Sequence, residues 1–154
     1  DPASDLPATL LALGATFVAK GPGGQRTIAA TDFFQGFLES ALAADELLTE
    51  IRVPKMPGAG WGYQKFNRRA QDWAIVGCSV IRNGTTGVAL VNMGSTPIRA
   101  TAVENALAQG ASAKDAAELA AEGTEPPSDL NATPDYRRHL AKVLVRRALE
   151  AAGH

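Results

Sequence analysis

One cysteine, two histidines and no long uninterrupted apolar run are the scarcities that bound this 154-residue chain. A lone thiol at Cys78 excludes an internal disulfide. Neither it nor the widely separated His139 and His154 makes a zinc or iron–sulfur ligand set, so no metal site is expected. No apolar stretch reaches the roughly 18 residues of a membrane span, and no basic-then-apolar leader is visible; a cytoplasmic protein is expected. An excess of charge is missing too. Fifteen basic residues stand against sixteen acidic ones, and a net charge of -1 gives no long-range attraction for nucleic acid. What remains is an ordinary globular balance, 45% apolar and 20% charged, enough for one core or for a compact domain with a smaller appended unit.

Residues 1–54 read as a first unit. Asp5 is placed to cap a short helix whose apolar side is Leu6, Leu10, Leu11 and Leu13, with Gly14 closing it. Thr16–Ala19 is strand-like, Gly21-Pro22-Gly23-Gly24 forces a reversal, and Arg26–Ala29 returns. Thr31–Phe34 reads as a turn or a single helical turn anchored by its aromatics. Leu47 to Val53 alternates between apolar and polar residues, the signature of a half-buried strand. Pro54-Lys55-Met56-Pro57-Gly58-Ala59-Gly60 then interrupts both helix and sheet.

The second unit opens with a strand over Gly62–Phe66, which puts Tyr63 and Lys65 on one side by the two-residue period. Asp72–Ile81 reads as the core strand, Asn83-Gly84 as a tight hairpin turn, and Val88–Met93 as the partner strand. Three antiparallel strands with an apolar face need a cover. The remaining sequence supplies it. Thr101 with Glu104 forms a capping-box pattern, and Ser112 with Asp115 starts an alanine-rich helix reaching about Glu122. Thr133 and Pro134 open a last helix whose stripe is Tyr136, Leu140, Val143 and Leu144 and whose stop is Gly153.

Little of this carries chemistry by itself. Gly21–Gly24 lacks both the spacing of a dinucleotide fingerprint and the Lys-Ser/Thr ending of a triphosphate loop, so a plain hairpin is the simpler reading. Asp5 is a helix cap or an acceptor for a sugar hydroxyl. Lys65 is a snorkelling surface lysine or a cation beside a phosphate or an electron-rich ring. Tyr63 and Leu48 read as packing residues, with a ring system as the alternative neighbour of Tyr63. Arg138, Lys142 and Arg146 are spaced to line one helix stripe, either solvated or docking a partner; the wider basic set adds Arg137 and Arg147. Asp72 and Glu50 lack a nearby histidine or nucleophile, so no catalytic residue is expected.

The order of segments resembles a known family. DPASDLPATLLALGATFVA at 1–19, TDFFQGFLESALAADELLTEIRVP at 31–54, GYQKFNRRAQDWAIVGCSVI at 62–81 and PPSDLNATPDYRRHLAKVLVRRAL at 126–149 are similar to the FAD-binding medium subunits of carbon monoxide dehydrogenase, xanthine dehydrogenase and other molybdenum hydroxylases. The resemblance implies an α+β chain. Residues 1–54 would be the end of an FAD-binding domain, and 58–153 a carboxyl-terminal domain with a three-stranded antiparallel sheet and about three helices.

It also implies roles. Asp5 matches the family's flavin-site aspartate, Leu48 its apolar flavin neighbour and Lys65 its flavin-proximal lysine, with Tyr63 packing nearby. The full-length parent would bind FAD, take electrons from an iron–sulfur small subunit, and serve a molybdenum-containing large subunit that carries out the substrate oxidation. The chain starts after the family's glycine-rich pyrophosphate-wrapping segments, so by itself it is expected to bind FAD weakly or not at all and to be inactive. The alternative is a cofactor-free docking or assembly module presenting its basic last-helix stripe.

Overall fold

The computed structural model describes residues 1–154. Helix α1 spans Asp5–Ala12 and ends at Gly14, whose φ of 63° suits a residue without a Cβ. Its buried side is Ala8, Leu11 and Ala12, while Leu6 is exposed. Small alanines let the helix axis lie close to a sheet. Ser4, not Asp5, occupies the cap position, and Asp5 is the first helical residue.

Strands β1 (Thr16–Gly21) and β2 (Gly24–Ala29) form the expected hairpin. Helix α2 (Ala30–Phe33) is the expected single turn, and a minimal ribbon follows, β3 (Phe34–Gly36) with β4 (Glu39–Ser40). Phe17 and Phe33 stack at 4.0 Å between ring centroids, and both meet Phe34 edge-on, which anchors this turn to β1. Strand β5 (Leu47–Arg52) pairs with the other side of β1, giving the order β2-β1-β5. Here the half-buried expectation fails, because every residue of β5 is exposed. Alternation directs a strand to pair and to present an apolar face; burial needs a second layer, and none of the 154 residues stacks there.

The second sheet is antiparallel in the order β6-β7-β8-β9: Gly60–Phe66, Val76–Asn83, Thr85–Val91 and Ile98–Arg99. It has four strands, not three, since the two-residue β9 is too short to leave a periodic signal. Strand β7 starts at Val76 instead of Asp72 because side chains, not a neighbouring strand, take the Ala74 and Ile75 carbonyls: Asn92 Nδ2 donates to the first and Arg137 to the second. Gly84 (φ 75°) turns the β7–β8 hairpin, with Asn83 kept in β7.

Three helices cover one face, as expected: α3 (Thr101–Ala108), α4 (Ala113–Ala117) and α5 (Pro134–Ala151). Ser112 and Thr133 cap the second and third by accepting from Asp115 N and Tyr136 N. The capping box at Thr101 does not form. Thr101 is already helical, and Glu104 instead accepts from Val88 N and Arg99 Nε, each at 2.7 Å. Helix α4 stops well short of Glu122, the chain continuing there in turns. On α5 the buried stripe is Leu140, Leu144, Val145 and Leu149, so the stripe expected at Tyr136 and Val143 is displaced. Gly60 and Gly62 permit this packing, since a Cβ on either would fall on the carbonyl oxygen of Ala152 or Ala148.

The sheet is buried on both faces. Cys78, Val80, Val88 and Leu90 point to the α3–α5 layer, and Ala89 and Val91 point to α1 and Phe17. This double burial is why β7 and β8 read as apolar runs with little alternation.

Candidate functional site

Strand β6 is the edge of the second sheet, and its period of two separates two tasks. Gly60 and Gly62 face α5, whereas Trp61, Tyr63 and Lys65 share the other side. There Lys65 Nζ donates to Asp5 Oδ2 at 2.8 Å, across 60 positions of sequence. The lysine side chain is 21% exposed and the aspartate 48%, so this is a partly screened pair and not a buried one. Asp5 is the first helical residue and not the cap, and its carboxylate is turned to Lys65 instead of to the helix N-terminus.

Two polar atoms beside this pair are buried and unpartnered, Asp5 Oδ1 and Tyr63 Oη. Burial first, and the neighbouring Asp5 carboxylate second, push the Tyr63 phenol well above its ordinary range, so it keeps its proton. Next to these groups lies a cleft of about 340 Å³, walled by Leu6, Trp61, Tyr63 and Ile81, with Ser79 and Thr9 also lining it. Ser79 Oγ donates to Thr9 Oγ1 at 3.2 Å, which satisfies the polar residues at that wall.

The site therefore offers a carboxylate acceptor, the ammonium hydrogens that Asp5 leaves free, a phenol hydroxyl and an apolar wall with aromatic character. Such a set suits a ligand joining a flat ring to a hydroxylated chain. Cys78 offers no redox chemistry here: it is fully buried toward the helical layer, and burial pushes its thiol pKa up.

Of the residues singled out from sequence, Asp5, Tyr63 and Lys65 come together. Leu48 does not join them; it sits on β5 of the other sheet, opposite Ala19, and lines no part of the cleft. The sequence reading passed over Trp61, although its alternation with Tyr63 was a usable signal. Trp73, also passed over, stands 72% exposed in the segment 67–75 between β6 and β7 and does not line the cleft.

Elsewhere the cationic candidates other than the exposed Arg147 are already engaged. Arg138 pairs with Asp135, Lys142 with Glu118 and Arg146 with Glu150, so the α5 stripe is laced with carboxylates. Arg137, expected on the surface with them, is completely buried and pairs with Asp129 at 2.7 Å. The Gly21–Gly24 turn adjoins Asp45 and the Arg26–Glu46 pair, an acidic setting in which Arg26 is not free for a phosphate. No helix is long and apolar enough to cross a membrane.

Residues 61–152 match the family model for the CO dehydrogenase flavoprotein C-terminal domain, and residues 1–56 match that for the FAD binding domain in molybdopterin dehydrogenase. The carbon monoxide dehydrogenase medium chain of Hydrogenophaga pseudoflava is 38% identical, over 98% of this chain and 56% of that relative. The glyceraldehyde dehydrogenase medium chain of Sulfolobus acidocaldarius is 34% identical, over 97% of this chain and 57% of that one. Among solved structures, carbon monoxide dehydrogenase from Hydrogenophaga pseudoflava superimposes with a TM-score of 0.92 at 40% identity, covering 99% of this chain and 57% of that chain. Quinoline 2-oxidoreductase from Pseudomonas putida 86 gives 0.86 at 31% identity, with the same coverage. The chain thus spans a little over half the length of the relatives it matches. With two family models in tandem, relatives aligned across nearly all of this chain, and a matching fold, the chain belongs to the FAD-binding medium-subunit family of carbon monoxide dehydrogenase and related molybdenum hydroxylases.

Proposed function

We propose that this chain forms one edge of the FAD site in the flavoprotein subunit of a cytoplasmic molybdenum hydroxylase complex. Residues 1–54 would act as the end of the FAD-binding domain and 58–153 as the carboxyl-terminal domain. The observation that carries the reading is the Asp5–Lys65 pair, set beside two orphaned buried polar atoms at an apolar cleft. Those atoms fit a ligand edge: Asp5 Oδ1 is positioned to accept from a ribityl hydroxyl, and the protonated Tyr63 hydroxyl to donate. Lys65, held by Asp5, brings an ammonium to the ring end, while Leu48 flanks the cofactor from the other sheet. Bound FAD would supply the electron exchange linking an iron–sulfur small subunit, served by a molybdenum-containing large subunit, to an external acceptor.

The residues fit an edge of FAD and not its pyrophosphate. That group needs a nest of backbone amides free of competing carboxylates, and the Gly21–Gly24 turn adjoins Asp45 and Glu46. The chain by itself is accordingly proposed to bind FAD weakly or not at all, and tight stoichiometric binding in an equilibrium titration would overturn this. A cofactor-free docking module gains no support from the α5 stripe, whose cations are paired internally.

The test uses a flavoprotein preparation that contains this chain within its full-length subunit. Asp5→Asn and Lys65→Met are each expected to weaken FAD binding roughly tenfold or more, the worth of one charge-assisted hydrogen bond. Unchanged FAD affinity in both variants sinks the assignment.

A further inference from the structure

Asn92 follows the last residue of β8 with a φ of 59°, in the left-handed region that asparagine enters more readily than other residues bearing a Cβ. Only Leu38 among the other non-glycine residues does the same.

The surroundings of Asn92 are specific. Its backbone N–H donates to Pro2 O at 2.7 Å, and its side-chain Nδ2 donates to Ala74 O at 2.8 Å. A carbonyl can only accept, which fixes the orientation of the side-chain amide. One residue thereby joins two segments distant in sequence. The first leads into α1 three residues before Asp5. The second ends the Asn67–Ile75 loop, which leaves β6 just past Lys65 and carries the exposed Trp73 one residue before the captured carbonyl.

The next carbonyl of that loop, Ile75 O, is held by the buried Arg137. The end of the loop is therefore held by two side chains at successive carbonyls, but only Asn92 also holds the Asp5 side of the cleft. Glycine would adopt the same φ without the side-chain bond, and alanine would supply neither the ease nor the bond.

We propose that Asn92 is a positioning residue of the candidate flavin site, fixing the Asp5-bearing entrance of α1 and the loop that follows Lys65 relative to each other. The inference rests on the flavin reading of Asp5 and Lys65 and adds the group that sets the spacing.

The 154-residue chain carries the first test, by trypsin cleavage after the exposed Arg68 and Arg69 and by amide exchange over residues 1–6 and 67–75. Asn92→Gly keeps the backbone turn and the bond to Pro2. It is expected to speed loop cleavage about tenfold, the worth of one hydrogen bond, with exchange over 1–6 little changed. Asn92→Ala is expected to loosen both segments together. Wild-type cleavage and exchange in Asn92→Gly overturn the proposal, even if Asn92→Ala fails to fold.

The second test asks for a readout that mere stabilisation would not move. In the full-length flavoprotein, Asn92→Gly is expected to weaken FAD binding severalfold under conditions where circular dichroism shows the subunit still fully folded. A loosened loop with unaltered FAD affinity also overturns the positioning role, provided Asp5→Asn weakens binding in the same preparation. If Asp5→Asn has no effect, it is the flavin reading that fails, and the cleavage result still decides whether Asn92 holds the two segments.

Discussion

Strands β5 and β7 are both antiparallel and both carry apolar side chains, yet they end in opposite surroundings. Residues 76–80 of β7 are all buried, whereas β5 is exposed from Leu47 to Arg52. By pattern alone β5 is the better amphipathic strand. The difference lies in what stacks on them: β7 lies between α1 on one face and the α3–α5 layer on the other, and β5 has β1 along one edge and no layer on either face. The cores repeat the contrast. Twenty buried residues form the helix-covered core, while the smaller cluster of eleven borrows Ala74, Ala89 and Val91 from the second unit. The first unit is thus built onto the second sheet, and the stability of its α1 depends on that sheet being intact.

The comparison breaks most severely at the helix–sheet contact. Gly62→Val places a branched side chain on the Ala148 carbonyl, which backbone cannot yield without separating α5 from β6. A loss of roughly 3 kcal/mol or more is expected, read as a lower urea midpoint by circular dichroism. Both sheets should unfold together, since α1 packs on the sheet that α5 supports.

A paired truncation sharpens the contrast. Leu90 is fully buried and Leu48 is 39% exposed. Leu90→Ala is expected to cost about 3 kcal/mol and Leu48→Ala within about 0.5 kcal/mol, measured as thermal midpoints on the same chain. Equal costs would mean that β5 is covered after all.

The smallest effect belongs to the outer hairpin. Arg26 donates to Glu46, and the Ala43 amide donates to it as well, holding that carboxyl at about 2. The unfolded chain takes up this proton near the ordinary value of 4.5 and the folded chain only near 2. The pair's contribution is therefore complete above pH 4.5 and is lost as pH falls toward 2. Arg26 is about half exposed, so solvent screens the pair and the slope should be shallow. Glu46→Gln should flatten it, and an unaltered acid profile would show that the pair contributes nothing.

Local signals proved legible where the interaction itself is local. Gly14, Gly84 and Gly153 sit at positive φ where helices or a hairpin end, and Ser112 and Thr133 cap the helices that follow them. The same rule misread Thr101, because Glu104 found stronger partners in Arg99 and Val88 than the capping geometry offers. Arg137 and the α5 stripe looked alike in sequence. Only packing separates a guanidinium sealed against Asp129 and Ile75 from three surface cations paired with carboxylates. As for the candidate site, Tyr63 and Lys65 shared a side by strand period alone, and the family resemblance pointed to Asp5.

The amino-acid order by itself determined the longer strands, the hairpin turns, several helix ends and the α+β class, because each follows from neighbours a few residues apart. Tertiary structure decided which surfaces are covered, that β9 closes the second sheet, and that Asp5 meets Lys65 while Leu48 stays apart. The physical reason is the same throughout: burial and ion pairing between distant residues depend on how layers stack, and no local pattern encodes the partner.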